Sequence, residues 1–351
     1  MHVHLIDHPM WRPNISNPTI PLGSTILVTG ANGLIASTLI DQLLAAGYYV
    51  RGTVRDVKRC QWLRSTLDSR HGPGYLELVE VPDINKMGAW DAAVQGVSGI
   101  AHIIGAVTNN DPLIDQNLEE EMAAHISLLE AAQAEKLMKS FVLTSSAFAA
   151  WTPNASKMVN LGQWDWNHEA VDLARSSAAD KGLAPLMALK TLIEQKVWDW
   201  VNSKQLRFTF NSILLDTVIG HCLHPKDIGI PSTNGMVKWV YDGVHLDLIA
   251  MMQPQWFIDT RDAALLYVAA LTTPGVDGER LFGFGGRYSW PKVAEILQKF
   301  YPEKNVSTLI DNGWDKTEVP NKRSEELLRR VKLASWTELE ESVKDASACF
   351  T

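Results

Sequence analysis

A short stretch near the N-terminus, ILVTGANGLIA at residues 26–36, decides which folds are open to this chain. Its first three residues form an apolar run typical of a buried strand, and apolar side chains then recur at helical spacing as far as Gly47. Between the two lies a turn with small residues at Gly30, Gly33 and Ala36, the spacing of a dinucleotide-binding strand–turn–helix unit. We therefore expect a bound dinucleotide here, and the alternative is an ordinary turn between strand and helix.

Each small residue in this turn has a physical role in holding a pyrophosphate. Gly30 permits the tight turn, Gly33 lets the backbone approach the phosphates, and a small side chain at Ala36 lets the helix pack on the strand. The helix N-terminus adds unpaired N–H groups and the positive end of the helix dipole, both of which attract an anion. Strand, turn and helix together favour the dinucleotide interpretation.

The residues after the next predicted strand, 48–54, indicate which dinucleotide is bound. In sheets that bind NAD, an acidic residue at the end of this strand holds the ribose hydroxyls. Here the strand ends in Arg55, and Lys58 and Arg59 follow closely. Guanidinium and ammonium groups suit the 2′-phosphate of NADP, so we expect NADP rather than NAD, with a solvated basic turn as the alternative.

Strand and helix patterns alternate from residue 25 to about residue 145. Such alternation predicts a parallel sheet with helices on both faces and right-handed crossovers. The expected fold class is α/β, a Rossmann-type doubly wound parallel sheet with a smaller C-terminal substrate-binding domain. Ligands of such sheets bind beyond the carboxyl ends of the strands. The predicted strands are 26–28, 48–54, 76–81, 100–104, 140–144 and 208–215, and the predicted helices are 35–44, 87–94, 113–134 and 185–202.

The second half of the chain departs from this alternation. A long polar and aromatic segment at 147–185 contains Trp151, Trp164, Trp166 and His168, and a loop of this length usually has a function. The chain becomes irregular after residue 220. A short strand and helix at 256–271 and helices at 291–300 and 322–347 follow.

These patterns divide the chain into three parts. Residues 1–20 are expected to form an N-terminal arm. Residues 21–220, with about 256–273, are expected to form the NADP-binding domain. Residues 221–255 and 274–351 are expected to form the substrate-binding domain.

Charge and composition exclude several classes of function. The formal net charge of −8 disfavours nucleic acid as a partner. No run of about 18 apolar residues is present, so we expect no membrane span, and no signal peptide pattern precedes the first strand. The three cysteines, Cys60, Cys222 and Cys349, are too scattered for a disulfide framework or a zinc site. We therefore expect no metal and a cytoplasmic protein.

Five motifs together resemble one known family. The combination is similar to the extended short-chain dehydrogenase/reductases, and within them to the dihydroflavonol reductase-like and aldehyde reductase branch. The resemblance runs from about residue 21 to residue 343, and it is specific for the family but not for a reaction. The motifs are VTGANG at 28–33, VRGTVRD at 50–56, LTSSA at 143–147, KTLIEQ at 190–195 and FIDTRD at 257–262.

The resemblance implies a catalytic set and a cofactor site. In this family a serine follows the fifth strand and a tyrosine lies four residues before a helical lysine, and the matching serine and lysine here are Ser146 and Lys190. The alternatives are a serine at a strand end and a surface lysine that pairs with Glu194. The resemblance assigns NADP binding to Gly30, Asn32, Gly33, Leu34, Ile35, Arg55, Lys58, Asp83, Ile84 and Lys190.

Leu186 occupies the position of the family's tyrosine, which gives its proton to the carbonyl oxygen as hydride arrives. Leucine cannot donate a proton, and a positioned general acid is worth ~10²–10⁴-fold in rate. Two further departures lie near the same end of the site. Asp216 stands where the family usually has proline, and Ile104 stands where it usually has alanine.

Three functions remain open on these observations. The one we expect is a non-redox isomerase or cyclase acting on a small aromatic or ketonic substrate, such as ring closure of a chalcone to a flavanone. In it Ser146 holds the oxygen, Lys190 acts as a cation or base, and His168 moves a proton.

The second function is an NADPH-dependent ketone or aldehyde reductase with water, His168 or Lys190 as the replacement proton donor. The third is a non-catalytic NADP-binding protein. A monomer or a homodimer is expected in each case.

Overall fold

Seven parallel strands form the main sheet in the computed structural model, which describes residues 12–104, 114–224 and 229–350, with side chains from 118 onward in the second range. Their order across the sheet is third, second, first, fourth, fifth, sixth and ninth strand of the chain. The predicted α/β doubly wound sheet is confirmed. The strands are β1 (Thr25–Val28), β2 (Tyr49–Val54), β3 (Leu76–Glu80), β4 (Gly99–His102), β5 (Ser140–Ser146), β6 (Thr209–Leu215) and β9 (Arg280–Gly283).

Helices cover both faces of this sheet because each has an apolar side that must be buried. The helices are α1 (Leu34–Ala46), α2 (Gln61–His71), α3 (Asp91–Val94), α4 (Ile114–Ala134), α5 (His168–Arg175), α6 (Ala184–Asn202), α7 (Ser232–Asp242), α8 (Leu246–Ala250), α9 (Thr260–Thr272), α10 (Trp290–Phe300), α11 (Lys322–Lys332) and α12 (Leu339–Ser347). On one face α1, α2, α9 and α11 share a buried core, and on the other α3, α4 and α6 share a second core.

A smaller sheet lies beside the first and is built from β7 (Thr217–Ile219), β8 (Gln255–Asp259) and β10 (Gly286–Tyr288). Strand β8 is central, parallel to β7 and antiparallel to β10. This sheet shares an apolar core with α7, α10 and α12. The predicted helix near residue 291 begins after Ser289, whose hydroxyl accepts a hydrogen bond from the backbone N–H of Lys292.

The strands divide between the two sheets differently from the predicted domains. Strand β9, expected in the substrate-binding domain, pairs with β6 at the edge of the main sheet, and α11 packs on α9 beneath it. Strand β8, expected in the NADP-binding domain, lies in the small sheet instead, together with β7. These strands are only three to five residues long, too short for periodicity to assign them to a sheet.

The order in which successive strands are added to the sheet reverses at β1. Strands β2 and β3 extend from one side of β1, whereas β4, β5 and β6 extend from the other. Such a reversal opens a crevice at the carboxyl ends of the two central strands, where ligands of doubly wound sheets bind. Here the crevice lies between Gly30, which follows β1, and the residues that follow His102 at the end of β4.

Candidate active site

The turn after β1 has the geometry of an anion site. Gly30 has φ +66°, a conformation that favours glycine, and its N–H donates to Thr53 Oγ1 over 3.3 Å. Gly33 precedes the first residue of α1, where no side chain caps the helix and no acidic residue lies in the first turn. The N–H groups at the start of α1, which begins at Leu34, are therefore available to a phosphate.

Ile104 lies directly over this turn. A Cβ atom built on Gly30 would be only 2.9 Å from Ile104 Cγ1, so no larger residue fits at position 30 without moving that side chain. The backbone N–H groups of Ile103 and Ile104 donate to Thr29 Oγ1 over 2.9 and 3.2 Å. These bonds hold the two sides of the crevice together at its floor.

The cations after β2 are placed for a second phosphate. Arg55 and Lys58 are exposed, and neither forms an ion pair with another described residue. The nearby carboxylate of Asp56 is occupied in a local turn, since its Oδ1 accepts the backbone N–H groups of Lys58 and Arg59 over 2.8 and 3.2 Å. A guanidinium and an ammonium group left unpaired at this edge fit the 2′-phosphate of NADP.

Asp83 and Ile84 lie beyond the carboxyl end of β3, on the same side of the crevice. Asp83 is exposed, and its Oδ1 accepts the backbone N–H of Asn85 over 2.9 Å. Ile84 is half-buried against the core under α4. Asn32, Leu34 and Ile35 complete the turn and first residues of α1, so all the sequence-predicted cofactor residues except Lys190 follow β1, β2 or β3.

The end of β5 presents three successive hydroxyl groups with different partners. Thr144 Oγ1 donates to the His102 carbonyl over 2.8 Å and contacts the Tyr267 hydroxyl at 2.6 Å, while Ser145 Oγ donates to Glu194 Oε2 over 2.7 Å. Ser146 Oγ only accepts, from the backbone N–H of Phe148 over 3.2 Å. Within the described residues its hydrogen has no acceptor, so Ser146 can donate to a ligand oxygen.

Helix α6, which carries Lys190, packs on the segment that follows this serine. The Phe148 carbonyl, two residues after Ser146, accepts a hydrogen bond from Thr191 Oγ1 over 3.4 Å. Leu186 lies one helical turn before Lys190 and Glu194 one turn after it, so all three share a side of α6.

Glu194 is not the partner of Lys190. Its carboxylate instead accepts two hydrogen bonds from Arg280 over 3.1 and 3.0 Å, and it also accepts from Ser145 and Ser212 over 2.7 Å each. Lys190 is half-buried, and none of the described ion pairs includes it. The interpretation of Lys190 as a surface lysine paired with Glu194 is therefore wrong.

Lys190 faces helix α4, which contributes Glu121 and His125. Burial raises the pKa of Glu121, and the positive charge of Lys190 opposes that rise. The pKa of His125 is lowered to about 4, chiefly by burial and to a smaller extent by the positive charge of Lys190. His125 Nδ1 lies 2.8 Å from Nε2 of His102, which links it to the end of β4. Sequence reasoning missed Glu121 and His125, because one polar residue per helical turn looks like a solvated face.

His168 lies apart from this group. It is the first residue of α5 and is exposed, and no described contact joins its side chain to Ser146 or Lys190. Two tryptophans of the same long segment are packing residues: Trp166 lies against the Arg280 guanidinium at 4.0 Å, and Trp164 packs on Trp198 at 5.1 Å. The segment predicted as a functional loop thus contains a short helix and fills space over β9.

Asp216 directly follows β6, whose last residue pairs with Ser146 at the end of β5. Its Oδ1 and Oδ2 accept the backbone N–H groups of Thr217 and Trp256 over 2.7 and 3.0 Å. Burial raises the pKa of Asp216 from 3.8 to about 8; the two backbone N–H groups oppose the rise, and Asp315 adds to it. The departure from the family's proline was visible in the sequence, but the burial of the carboxyl was not.

Aromatic side chains line the region next to Asp216. Trp151 packs on Phe284 with ring centroids 5.5 Å apart, and Trp256 packs on the same ring at 6.0 Å. The indole N–H of Trp151 is buried without a hydrogen-bond partner among the described residues, whereas the indole of Trp256 faces the Asp315 carboxyl. The three rings are buried and belong to one apolar core beside Asp216.

The described residues contain neither a metal site nor a membrane span. No cluster of three or more His, Cys, Asp or Glu side chains there is arranged to hold a metal ion. None of the described helices combines the length and the apolar run needed to cross a bilayer.

Comparison with known proteins identifies the family and supports the fold. Residues 26–169 match the NAD dependent epimerase/dehydratase family. Aldehyde reductase 2 of Sporidiobolus salmonicolor is 33% identical over 336 residues, which cover 94% of this chain and 97% of the relative. Ketoreductase adrE of Penicillium rubens is 34% identical over 344 residues, which cover 95% and 98%.

Solved structures show the same architecture at lower identity. Gre2 of Candida albicans in complex with NADPH superposes with a TM-score of 0.75 at 22% identity, covering 94% of this chain and 98% of that one. Vestitone reductase of alfalfa superposes with a TM-score of 0.73 at 20% identity, covering 93% and 97%. With the identity and coverage of the two reductases above, these findings show that the chain belongs to the NAD-dependent epimerase/dehydratase family of extended short-chain dehydrogenases/reductases.

Proposed function

We propose that the protein is an NADPH-dependent ketone or aldehyde reductase in which Lys190, rather than a tyrosine, protonates the carbonyl oxygen. The observation that carries this proposal is that Lys190 is half-buried on α6 and forms no ion pair with a described residue, while Glu194 is committed to Arg280. The relatives named above are reductases, which favours reduction over isomerisation. The isomerase that we expected from the sequence has no support among them.

The residues present fit NADPH. The uncapped start of α1 would bind the pyrophosphate, and Arg55 and Lys58 would bind the 2′-phosphate. When bound, the cofactor supplies the hydride for the carbonyl carbon. Ser146 donates a hydrogen bond to the carbonyl oxygen, and the Lys190 ammonium group gives that oxygen its proton. The Leu186 side chain, one turn away, limits water next to the oxygen.

Lys190 is a better candidate than the two other donors considered. His168 is exposed at the start of α5, and no described contact joins its side chain to Ser146. Water can protonate an alkoxide without any protein group, but it supplies no positioned charge while the oxygen becomes negative. An ammonium group next to Ser146 supplies both the charge and the proton.

The aromatic region next to Asp216 favours an aromatic ketone or aldehyde as substrate. Trp151, Trp256 and Phe284 form an aromatic core there, and the unpaired indole N–H of Trp151 is a donor for a substituent oxygen. A cytoplasmic location and a monomeric or homodimeric state remain predictions of the same proposal.

The test is a reaction with NADPH and a panel of aromatic ketones and aldehydes, followed by absorbance of the reduced nicotinamide and by product mass. We expect NADPH consumption and a product heavier by two hydrogens. A product of unchanged mass, formed without NADPH consumption, would support the isomerase instead. Binding of NADPH without any product would support the non-catalytic function.

The variant K190M, matched by K196M, tests the proton donor. Lys196 lies on the same helix but is exposed. We expect K190M to lower kcat by ~10²-fold or more and K196M to leave it unchanged, because the proposal assigns the proton transfer to Lys190 alone. Equal activity of the two variants would show that another group protonates the oxygen.

A further inference from the structure

Two buried imidazole rings connect the dinucleotide turn to helix α4 by hydrogen bonds. Thr29, which directly precedes Gly30, has its Oγ1 3.0 Å from Nδ1 of His102, the last residue of β4. Nε2 of the same ring lies 2.8 Å from Nδ1 of His125 on α4. All three side chains are buried. The direction of each hydrogen bond follows from the donors that each atom already accepts.

Thr29 determines which nitrogen of His102 carries hydrogen. The Oγ1 atom of Thr29 accepts the backbone N–H groups of Ile103 and Ile104 over 2.9 and 3.2 Å, which use both of its lone pairs. A hydrogen on Nδ1 of His102 would be a third donor to the same oxygen, so Nδ1 carries none and accepts the Thr29 hydroxyl instead. Since Nδ1 has no hydrogen, the ring is neutral and its hydrogen is on Nε2.

The same reasoning extends to His125. Nε2 of His102 carries the hydrogen of its ring, so it donates to Nδ1 of His125. Nδ1 of His125 therefore has no hydrogen, and this ring too is neutral with its hydrogen on Nε2. Burial lowers the pKa of both histidines, which agrees with the neutral rings that the donor count requires.

His102 also joins the dinucleotide turn to the end of β5. Its side chain accepts from Thr29, while its backbone carbonyl accepts the hydroxyl of Thr144 over 2.8 Å, two residues before the candidate catalytic serine. The segment that follows β4 carries Ile104, whose Cγ1 would lie 2.9 Å from a Cβ atom on Gly30. The bonds around Thr29 therefore set how closely this segment approaches the turn.

The acceptor at position 102 keeps these bonds in place. Without it, the hydrogen of Thr29 would be unpaired in a buried site, or it would turn toward a lone pair that the N–H of Ile103 or Ile104 now uses. An unpaired buried hydroxyl is unfavourable, and the loss of either N–H bond would loosen the contact between the turn and the segment after β4.

We propose that His102 and His125 are positioning residues for the dinucleotide: with their hydrogens on Nε2, they fix the Thr29 hydroxyl so that the turn after β1 and the segment after β4 keep a set distance. The link to the dinucleotide rests on the proposed function, which assigns this turn to the cofactor. The hydrogen positions themselves do not depend on any ligand or reaction.

The hydrogen positions are tested by NMR on the wild-type protein without ligand. The ten histidines of the chain are labelled with ¹⁵N in their rings, and the signals missing from H102N and from H125N identify the two rings. Correlations between the ring nitrogens and the carbon-bound ring hydrogens distinguish Nδ1 from Nε2 and show which of them carries hydrogen. We expect hydrogen on Nε2 alone in both rings. A hydrogen on Nδ1 of either ring would overturn the inference.

The positioning role is tested by calorimetric titration of H102L and H102N with NADPH and with NADH. Leucine removes the acceptor for Thr29 at similar size, whereas asparagine keeps an oxygen at the place of Nδ1. We expect H102L to weaken both cofactors about tenfold, because the turn would bind the pyrophosphate that they share, and H102N to stay within about threefold of the wild type. Similar affinities of H102L and H102N would show that the hydrogen bond to Thr29 does not position the cofactor.

The pair T29V and T29S repeats the comparison from the other end of the bond, in case H102L does not fold. Serine keeps the hydroxyl and valine removes it, so we expect the same tenfold loss in T29V and little change in T29S. The two proposals fail separately. A wild type that binds NADPH but reduces no aromatic ketone overturns the proposed function, and the titrations still decide the positioning role. A wild type that binds neither cofactor overturns both.

Discussion

Arg280 donates to both carboxylate oxygens of Glu194, over 3.1 Å to Oε1 and 3.0 Å to Oε2, and both side chains are buried. The pair joins the edge strand β9 to helix α6. The same guanidinium also donates to the carbonyls of Gln163 and Asp165 over 3.1 and 2.5 Å, and so fixes the long segment before α5. Because Glu194 is committed to Arg280, Lys190 one turn earlier remains available for the site.

Removal of one partner of this pair should destabilise the protein strongly. We expect R280M to lower the free energy of unfolding by about 3–5 kcal/mol, because Glu194 would remain buried without its counter-charge. The variant R323M is the control, since Arg323 forms a partly exposed pair with Glu279 that is worth ~1 kcal/mol or less. Urea unfolding measures both.

The double variant R280M/E194M separates charge from packing. If the uncompensated charge causes the loss, the double variant should be more stable than R280M alone. Equal or lower stability of the double variant would mean that the hydrogen bonds to the segment before α5 matter more than the charge.

The sequence alone predicted the large sheet and the dinucleotide turn well. Strands β1 and β2, helix α1 and its end at Gly47 were expected within one or two residues, because apolar periodicity and glycine spacing are local signals. Gly47 adopts the left-handed conformation at the end of α1, with φ 96°, as expected of a terminating glycine. The fold class followed from such local signals.

The contacts of the candidate site could not be predicted in the same way. Glu194 and Arg280 are 86 residues apart, and Thr29 and His102 are 73 residues apart, so no local pattern announces either pair. The sequence therefore suggested Glu194 as the partner of Lys190 from helical spacing alone. Short elements such as β7 and α5 were missed because their periodicity extends over too few residues.

The buried carboxyl of Asp216 should make stability depend on pH. Its pKa is raised from 3.8 to about 8, chiefly by burial, so between these values the folded protein holds a proton that the unfolded chain releases. The stabilisation is complete below about pH 4 and is lost as pH rises to about 8. We expect D216N to show a flatter profile in urea unfolding across this range.

The control for this profile is D172N, since Asp172 is exposed on α5. It should retain the wild-type dependence on pH. A D216N profile as steep as the wild type between about pH 4 and pH 8 would assign the dependence to other groups.

The phosphate role of Arg55 predicts a selective loss of affinity. We expect R55A to weaken NADPH binding about tenfold or more, while NADH binding changes little, because only NADPH has the 2′-phosphate. Calorimetric titration of both cofactors measures the difference. The control is K136A, an exposed lysine that lies before the amino end of β5, away from the carboxyl ends of the strands. Equal weakening of NADPH and NADH by R55A would refute the phosphate role.

Placing a phenol at position 186 should increase hydride transfer. In L186Y the hydroxyl would lie one helical turn before Lys190, where it can share the proton transfer to the carbonyl oxygen. We expect kcat with an aromatic ketone to rise at least tenfold, toward the ~10²–10⁴-fold contribution of a positioned acid. The control L183Y adds the same phenol at an exposed leucine just before α6 and should leave kcat unchanged. If L186Y binds NADPH but reduces the ketone no faster than L183Y, position 186 does not face the reacting carbonyl, and the assignment of the proton donor to this side of α6 would be wrong.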